Sequence, residues 1–217
     1  MADIKIGRMV IGAVATNSYF LYREGNSECV VIDAPDKGKE MAAALKKNGF
    51  EPIALLLTHG HFDHIWGASE FRSATSAKIY ALDKEQELLE NSTLNVSAQS
   101  GRPTTVKVNR YLKDGEEIEL AGIKFRIIAT PGHTVGSCCF YVEEAGFLLA
   151  GDTLFQESVG RSDLPTGSGA TLGRSIQEKL LVLPEDTRVY PGHGDETTIG
   201  HEKKYNPFVA GGEDIWE

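Results

Sequence analysis

Four short motifs share one design, and three of them contain five of the six histidines. Each motif starts as an apolar stretch and turns at a glycine beside a side chain that can bind a metal ion. The motifs span residues 55–64 (LLLTHGHFDH), 127–134 (IIATPGHT), 147–153 (FLLAGDT) and 188–194 (RVYPGHG). Because ligand-binding residues of layered α/β folds collect where the sheet strands end, we expect the four motifs to meet at one site.

The ligand-capable side chains of these motifs number seven, and they are His59, His61, Asp63, His64, His133, Asp152 and His193. A catalytic zinc ion usually takes three protein ligands and keeps one position open for water. Seven ligands with one shared carboxylate therefore suit two ions. Imidazole favours zinc, iron and related metals, whereas magnesium and calcium prefer oxygen ligands. We predict two divalent metal ions per chain, with zinc as the preferred ion and iron or manganese as tolerated substitutes.

The rest of the chain predicts strands and helices around these motifs. Strands are expected at residues 4–11, 18–22, 29–33, 53–57, 106–108, 117–120, 124–129, 138–142, 147–150 and 187–190. Helices are expected at residues 37–48, 83–90 and 171–183, the second starting at a capping box of Asp83 and Gln86, and residues 91–105 are expected to form a surface loop. Two halves, each with strands followed by a helix, predict a layered α/β sandwich and a single domain over residues 1–217.

Composition limits the classes of partner. The 217 residues, 41% of them hydrophobic and 24% charged, are enough for a sizeable core. The formal net charge of -9 repels phosphate backbones, so we expect no nucleic-acid partner. No window approaches the roughly 18 apolar residues that cross a bilayer, and the N-terminus lacks the features of a signal peptide. Cys29, Cys138 and Cys139 are expected to be buried thiols in a reducing compartment. We therefore expect a cytoplasmic protein without membrane contact.

The motifs T-H-x-H-x-D-H, P-G-H-T, G-D-T and P-G-H-G, in this order, resemble those of the metallo-β-lactamase fold superfamily. Within that superfamily the chain is similar to the short, single-domain glyoxalase-II-like hydrolases. The similarity runs from residues 16–19 (TNSY) to residues 205–208 (YNPF). The resemblance implies a four-layer αββα sandwich in which two metals lie at one edge, between the two sheets.

The resemblance also implies how the ligands are divided. The implied ligands of the first metal are His59, His61 and His133, those of the second are Asp63, His64 and His193, and the implied bridge is Asp152. The implied catalytic residues are Asp63 and Asp152, with Asp63 orienting the nucleophile. Asp33, at the end of a strand, is either a turn-capping residue or a hydrogen-bonding support for a ligand histidine.

The implied reaction is hydrolysis of a thioester by a hydroxide that bridges the two metals, as in the hydroxyacylglutathione hydrolases. Two ions about 3.5–4 Å apart can activate a water and polarise a carbonyl together, and a thiolate leaves without a strong acid. The expected substrate is a small-molecule thioester derived from glutathione, and the expected assembly is a monomer or a homodimer. The implied substrate-binding residues are Arg161, Lys204 and Asn206. Arg161 has an alternative role, in which it pairs with Asp163 and fixes its own loop.

Two other functions are compatible with these motifs. A persulfide dioxygenase shares the fold and a Gly-Arg-x-Asp segment like that at residues 160–163, and it would hold a single iron at His59, His133 and Asp152. Against it, those enzymes usually have alanine before the last ligand histidine and aspartate after it, whereas glycine flanks His193 on both sides here. The second alternative is a non-catalytic metal-binding protein, and the complete set of seven ligands argues against it.

Overall fold

The computed structural model describes residues 3–210, so the two ends of the predicted domain of residues 1–217 lie outside the described residues. The strands are β1 (Ile4–Ile11), β2 (Thr16–Arg23), β3 (Glu28–Ile32), β4 (Glu51–Leu56), β5 (Lys78–Leu82), β6 (Arg110–Leu112), β7 (Glu117–Leu120), β8 (Ile123–Ala129), β9 (Cys138–Val142), β10 (Phe147–Gly151), β11 (Leu154–Phe155), β12 (Ser158–Val159), β13 (Arg188–Pro191) and β14 (Thr197–Thr198). The helices are α1 (Gly38–Lys47), α2 (Phe62–Ile65), α3 (Ala68–Thr75), α4 (Gln86–Glu90), α5 (Gly169–Ser175), α6 (Ile199–Tyr205) and α7 (Pro207–Ala210). A 3₁₀ turn (Asp83–Glu85) leads into α4, and a π-helical turn (Ile176–Leu180) continues α5.

Two six-stranded sheets form the centre of the fold. The first has the order β1-β2-β3-β4-β5-β6, with antiparallel pairing from β1 to β3 and parallel pairing from β3 to β6. The second has the order β14-β13-β10-β9-β8-β7, in which β10 and β13 are parallel and the other pairs antiparallel. A parallel pair needs a crossover, and helices α1 and α3 provide those from β3 to β4 and from β4 to β5.

Three apolar clusters separate four layers. Alternate side chains of a strand face opposite sides, so each sheet has one face toward the other sheet and one toward helices. Phe125 and Phe140 lie in the cluster between the sheets, Phe71 of α3 lies in the cluster outside the first sheet, and Leu172 and Ile176 lie outside the second. Each such buried side chain contributes about 1.5–3 kcal/mol. The layers run helix, sheet, sheet, helix, which confirms the predicted αββα sandwich.

Two local predictions are wrong. Residues 106–108 form no strand, because Val106 is buried by packing beside the first sheet rather than by pairing with it, and pairing begins only at β6. The capping box at Asp83 is absent. Asp83 lies inside the 3₁₀ turn and makes no side-chain cap, and the amide of Gln86 donates a hydrogen bond to Glu90 instead.

Several elements carry too weak a sequence signal and were not predicted. Strand β5 and helices α2 and α3 belong to this group, since β5 is a five-residue apolar run and α2 is a single turn. Residues 91–105 form turns as expected, although Asn95 and Ser97 within them are buried. The helix expected at residues 171–183 starts earlier, at α5, where the Ser168 hydroxyl accepts a hydrogen bond from Thr171 N.

Candidate metal centre

The four motifs follow strands of both sheets and meet at one edge of the sandwich. The first motif follows β4 of the first sheet and runs into α2, and the others follow β8, β10 and β13 of the second sheet. The ring centroid of His64 lies 4.1 Å from that of His59 and 5.5 Å from that of His193. Residues that are far apart in sequence and belong to different sheets are thus neighbours here.

Three imidazoles that could hold one metal ion are called the first ligand group, namely those of His59, His61 and His133. The Nε2 atom of His133 lies 2.8 Å from His61 Nδ1 and 3.1 Å from His59 Nε2. All three side chains are buried, and one nitrogen from each lies within 4.8 Å of the others. Nitrogens this close can share one tetrahedral ion.

Asp63, His64 and His193 could hold another ion and are called the second ligand group. Asp63 Oδ2 lies 3.2 Å from His193 Nε2 and 3.9 Å from His64 Nε2. Asp152 stands between the groups: its Oδ1 is 3.3 Å from His64 Nε2, and its Oδ2 is 3.5 Å from His193 Nε2 and 3.7 Å from His133 Nε2. One carboxylate therefore faces histidines of both groups.

Asp33 orients two of the ligand histidines. Its Oδ2 accepts hydrogen bonds from His64 Nδ1 at 2.8 Å and from Thr58 Oγ1 at 2.7 Å, and its Oδ1 accepts one from Thr58 N at 2.8 Å. Because an ionised carboxylate only accepts, His64 carries a proton on Nδ1. Thr58 has donated its own proton, so its hydroxyl accepts from His59 Nδ1 at 3.1 Å. Both histidines thus present Nε2 to the centre, and of the two roles open for Asp33 the structure contains the hydrogen-bonding one.

The converging atoms fit a divalent metal. His64 Nε2 and Asp152 Oδ1 are buried and make no hydrogen bond within residues 3–210. His133 donates its Nδ1 proton to the carbonyl oxygen of Arg161 at 2.7 Å, so the Nε2 lone pairs of His133 and His59 face each other. Unpartnered buried polar atoms and opposed lone pairs are both unfavourable, and a cation relieves both. A donor set of imidazole nitrogens and carboxylate oxygens suits zinc, iron or manganese.

Burial and neighbouring charges divide the histidines into two classes. Burial lowers the pKa of His59 and of His133, and it lowers the pKa of His61 to about 3, so these imidazoles are neutral at pH 7. Burial also opposes a charge on His64, but the carboxylate of Asp152 and its neighbours raise the pKa of His64 well above its usual value. Neutral imidazole is the ligating form. The first group is therefore ready to bind an ion, whereas binding at His64 displaces a proton.

Gly192 allows the His193 loop to approach the centre. A Cβ at Gly192 would lie 2.2 Å from Asp152 Oδ1 and 2.7 Å from His64 Cε1. Any larger residue would displace these two side chains, which explains why this turn carries glycine beside its histidine.

The start of β2 holds the same loop from the opposite sheet. The Asn17 side chain donates hydrogen bonds to the carbonyl oxygens of Pro191 at 3.0 Å and Gly194 at 2.9 Å, and the Tyr19 hydroxyl donates to Pro191 O at 2.9 Å. Sequence reasoning noted these residues as part of a family-like motif and missed that they position His193. The available signal was a run of three polar residues, Thr16 to Ser18, at the beginning of a strand that is apolar from Tyr19 to Tyr22.

The three predicted substrate-binding residues differ from one another in exposure and in their partners. Arg161 is exposed and binds both carboxylate oxygens of Asp163, at 2.7 and 2.8 Å. Lys204 is exposed on α6 with its ammonium 4.8 Å from the Tyr205 ring. Asn206 is completely buried and donates to Ser158 O at 3.0 Å. Contact of these residues with a substrate stays a prediction. The hydrogen bond from Asn206 to Ser158 fixes the end of α6 against β12.

A sequence profile of the metallo-beta-lactamase superfamily matches residues 11–193, and the chain belongs to this superfamily. Over 210 residues it is 38% identical to the probable metallo-hydrolase YqgX of Bacillus subtilis, covering 96% of this chain and 99% of that protein. Over 192 residues it is 33% identical to the hydroxyacylglutathione hydrolase GloC of Haemophilus influenzae, covering 86% of this chain and 89% of that protein.

The solved structures that resemble this chain share its fold. The crystal structure of the BLEG-1 B3 metallo-β-lactamase is 38% identical with a TM-score of 0.90, covering 94% of this chain and 99% of that one. TTHA1623 in a di-iron-bound form is 35% identical with a TM-score of 0.82, covering 93% and 99%. ETHE1 from Myxococcus xanthus is 25% identical with a TM-score of 0.78, covering 98% and 88%. The chain thus belongs to the metallo-β-lactamase superfamily, and its relatives there include a probable metallo-hydrolase. Within residues 3–210, no helix combines the length and the apolar character needed to cross a bilayer.

Proposed function

We propose that this protein is a two-metal thioester hydrolase of the hydroxyacylglutathione hydrolase type, acting on a small thioester derived from glutathione. The observation that carries the proposal is the position of Asp152, whose two oxygens lie 3.3 Å from His64 Nε2 and 3.7 Å from His133 Nε2, in different ligand groups. A carboxylate between two ligand groups suits a pair of ions that share it. The 33% identity to the hydroxyacylglutathione hydrolase GloC supports the choice of substrate class.

In this proposal some residues would hold the ions and others would orient the reactants. Bound ions would lower the pKa of a water held between them and polarise the substrate carbonyl. The residues that would hold them are His59, His61 and His133 for one, Asp63, His64 and His193 for the other, and Asp152 for both. Asp63 Oδ2 also accepts a hydrogen bond from Thr16 Oγ1 at 3.5 Å, which fixes the carboxylate that would orient the attacking water. The thiolate of a thioester leaves without a strong proton donor.

The cysteines are unsuited to a covalent mechanism. Cys138 and Cys139 are completely buried on β9. Burial raises the pKa of Cys139 to about 11 and the pKa of Cys138 well above its usual value, so neither forms a thiolate at neutral pH. A water nucleophile is therefore the better proposal.

A single-iron persulfide dioxygenase is the second candidate. In its favour, the Gly-Arg-x-Asp segment lies at the centre, because Arg161 O accepts the Nδ1 proton of His133. Against it, Asp63 lies within 3.2 Å of a histidine that a one-iron site would not use. Iron itself does not separate the candidates, since TTHA1623, at 35% identity, is described in a di-iron-bound form.

Activity of metal-defined protein under nitrogen separates the candidates. We expect the zinc protein to hydrolyse S-D-lactoylglutathione without oxygen, a chelator to abolish the activity, and zinc to restore it. A β-lactam is the parallel substrate, because the B3 metallo-β-lactamase BLEG-1 is 38% identical to this chain. Absence of thioester hydrolysis together with oxygen consumption by the iron form on glutathione persulfide would establish the dioxygenase. A protein that binds metal but is inactive on the thioester, the β-lactam and the persulfide would be the non-catalytic metal-binding protein.

Two substitutions test the assigned roles. His61→Ala should lower thioester hydrolysis by on the order of 10²-fold or more, through loss of a metal ligand. Asp152→Ala should lose at least one of two ions in elemental analysis, because a bridging carboxylate serves both. Asp163→Ala is the control, since Asp163 is exposed and pairs with Arg161 rather than with the centre. Two ions retained in Asp152→Ala would show that Asp152 is no bridge.

We further propose a cytoplasmic protein, monomeric or homodimeric, whose partner is this small molecule rather than a nucleic acid or a membrane. Size-exclusion chromatography with light scattering measures the molar mass and so distinguishes a monomer from a homodimer.

A further inference from the structure

Glu85 is a completely buried carboxylate between two loops that carry ligand histidines. It ends the 3₁₀ turn before α4, and it is 0% exposed. Its Oε1 accepts a hydrogen bond from Gly60 N at 2.7 Å, and its Oε2 accepts one from Thr134 Oγ1 at 3.0 Å. The backbone of Gly136 packs closely against the same carboxylate.

The hydrogen bonds of Glu85 join loops from different sheets. Gly60 lies between His59 and His61 in the loop after β4, and Thr134 directly follows His133 in the loop after β8. Strands β4 and β8 belong to the first and the second sheet respectively. The carboxylate therefore connects, across the sandwich, the two loops that supply all three imidazoles of the first ligand group.

The loop after β8 is closely fitted to this carboxylate. A Cβ at Gly136 would lie 2.3 Å from Glu85 N and 2.5 Å from Glu85 Oε2, so only glycine allows the approach. Ser137 Oγ lies 2.7 Å from Thr134 Oγ1 and accepts a hydrogen bond from Thr134 N at 3.1 Å. Because Thr134 gives its hydroxyl proton to Glu85, the Ser137 hydroxyl donates to Thr134 Oγ1.

Folding by itself does not require an ionisable group at this position. A carboxylate taken out of water and met by neutral donors is unfavourable compared with an amide or an apolar side chain of the same volume. The two loops are also joined by a backbone hydrogen bond of 2.9 Å from Cys138 N to Thr58 O, so the sandwich is closed here without Glu85. The Glu85 carboxylate adds a second connection between the two loops, at residues directly next to the ligand histidines.

We propose that Glu85 is a positioning residue of the first metal site, which sets the separation of the two ligand loops and so the distances among the nitrogens of His59, His61 and His133. The proposal rests on the metal centre of the proposed function and not on the identity of the substrate.

Glutamine at this position keeps the shape of the side chain and removes one acceptor. If the glutamine oxygen faces Gly60 N–H, the amide nitrogen takes the place of Oε2 and must donate to Thr134 Oγ1, so the hydrogen bond between Thr134 and Ser137 has to reverse. In the opposite orientation the amide nitrogen faces Gly60 N–H and that hydrogen bond is lost. The connection of one ligand loop to residue 85 changes in either orientation. Changes in the groups that orient metal ligands cost about 10–100-fold in affinity. We therefore expect Glu85→Gln to bind one of two zinc ions about 10–100-fold more weakly.

Glu202 provides a matched control. It is also 0% exposed, and its carboxylate accepts hydrogen bonds from Thr197 Oγ1 at 2.5 Å, Glu157 N at 2.9 Å and Asn206 Nδ2 at 2.8 Å. These donors lie on β14, on the turn between β11 and β12, and after α6, and none of them belongs to a ligand loop. Glu202→Gln should therefore leave the zinc affinity unchanged.

Zinc affinity is measured by competition with a chromophoric chelator, and the geometry of the first site by the visible absorption spectrum of the cobalt-substituted protein. We expect Glu85→Gln to lower the affinity for one zinc ion and to alter the cobalt spectrum. Glu202→Gln should match the parent in both measurements. If Glu85→Gln folds and keeps parental affinity and spectrum, then Glu85 is merely structural and the proposal is wrong.

A second pair of variants keeps the proposal testable if Glu85→Gln fails to fold. Thr134→Val removes one donor to Glu85, and Thr134→Ser retains the hydroxyl. We expect weaker zinc binding in the first and parental binding in the second, and equal parental binding in both would overturn the proposal. None of these readouts uses a substrate. A protein that hydrolyses no thioester would refute the proposed function alone, whereas an active protein with parental zinc affinity in Glu85→Gln would refute this inference alone.

Discussion

The substitution Asp33→Asn replaces one carboxylate oxygen by an amide nitrogen at the point where two ligand histidines are oriented. Asp33 Oδ2 accepts from both His64 Nδ1 and Thr58 Oγ1, and Thr58 in turn accepts from His59 Nδ1. The backbone tolerates the change, because Asp33 has a φ of 58° and asparagine adopts this left-handed conformation as readily as aspartate. The effect of the substitution therefore comes from the side chain.

The amide nitrogen cannot replace Oδ2 without moving a proton. It faces two donors, so His64 must move its proton to Nε2, and Thr58 must accept from the amide and donate to His59 Nδ1. Both changes leave a proton on a nitrogen that faces the centre. The flipped amide keeps its oxygen at this position but turns its nitrogen against Thr58 N–H and loses that hydrogen bond, which loosens the support of both histidines. We expect at least one zinc ion to bind about 10–100-fold more weakly.

The metal-free protein should also lose stability. A hydrogen bond to a charged group contributes about 1.5–3 kcal/mol, and two such bonds meet at Oδ2. The neutral amide in turn relieves the desolvation of a buried charge. We therefore expect a net loss near that of one bond, about 2 kcal/mol.

The assay combines chelator competition for zinc with urea unfolding of the metal-free protein. Asp36→Asn is the control, because Asp36 is partly exposed and its Oδ1 accepts from Arg102 at 2.8 Å and from Lys37 N at 2.8 Å, not from a ligand. Parental affinity for both ions in Asp33→Asn would refute the argument that Asp33 determines which ring nitrogen is protonated.

Three further predictions address the nucleophile, the buried glutamate and the His193 loop. The double variant Cys138→Ala/Cys139→Ala should hydrolyse S-D-lactoylglutathione at close to the parental rate, and a large loss of kcat with intact metal content would implicate a thiol. Burial raises the pKa of Glu85 from 4.5 to about 7, so between these values the native state binds more protons than the unfolded chain. The contribution of Glu85 to the stability of the metal-free protein should accordingly fall by about 3 kcal/mol as pH rises from about 4.5 to 7; the difference in unfolding free energy between the parent and Glu85→Gln, measured with urea, should change by this amount, and a difference that is constant with pH would contradict the assignment. Asn17→Ala leaves two carbonyl oxygens of the loop without their amide donor, so one zinc ion should bind more weakly through His193 while the other is retained; equal weakening of both ions would count against a local effect.

The residues that carry the chemistry were recognisable because their signal is local. The stretch of residues 59–64 places four ligand-type side chains in six positions directly after an apolar run, and packing alone gives no reason for such a cluster. The bounds of β1, β7 and β9 were also predicted correctly, since each is an apolar or alternating run between turn residues. Local pattern thus predicted where strands end and which side chains stand at those ends, and hence the layered α/β fold.

The partners of these side chains could not be predicted in the same way, because they come from distant parts of the chain. The hydrogen bond from Asn17 to Pro191 joins residues 174 positions apart, and that from Thr134 to Glu85 joins residues 49 positions apart. In the sequence Glu85 belongs to the charged run DKEQE, which gives no indication of a buried carboxylate. It becomes buried only because the turn before α4 packs against loops from both sheets. A side chain's own type determines which bonds it can form, whereas the packing of the two sheets determines which donors and acceptors it meets.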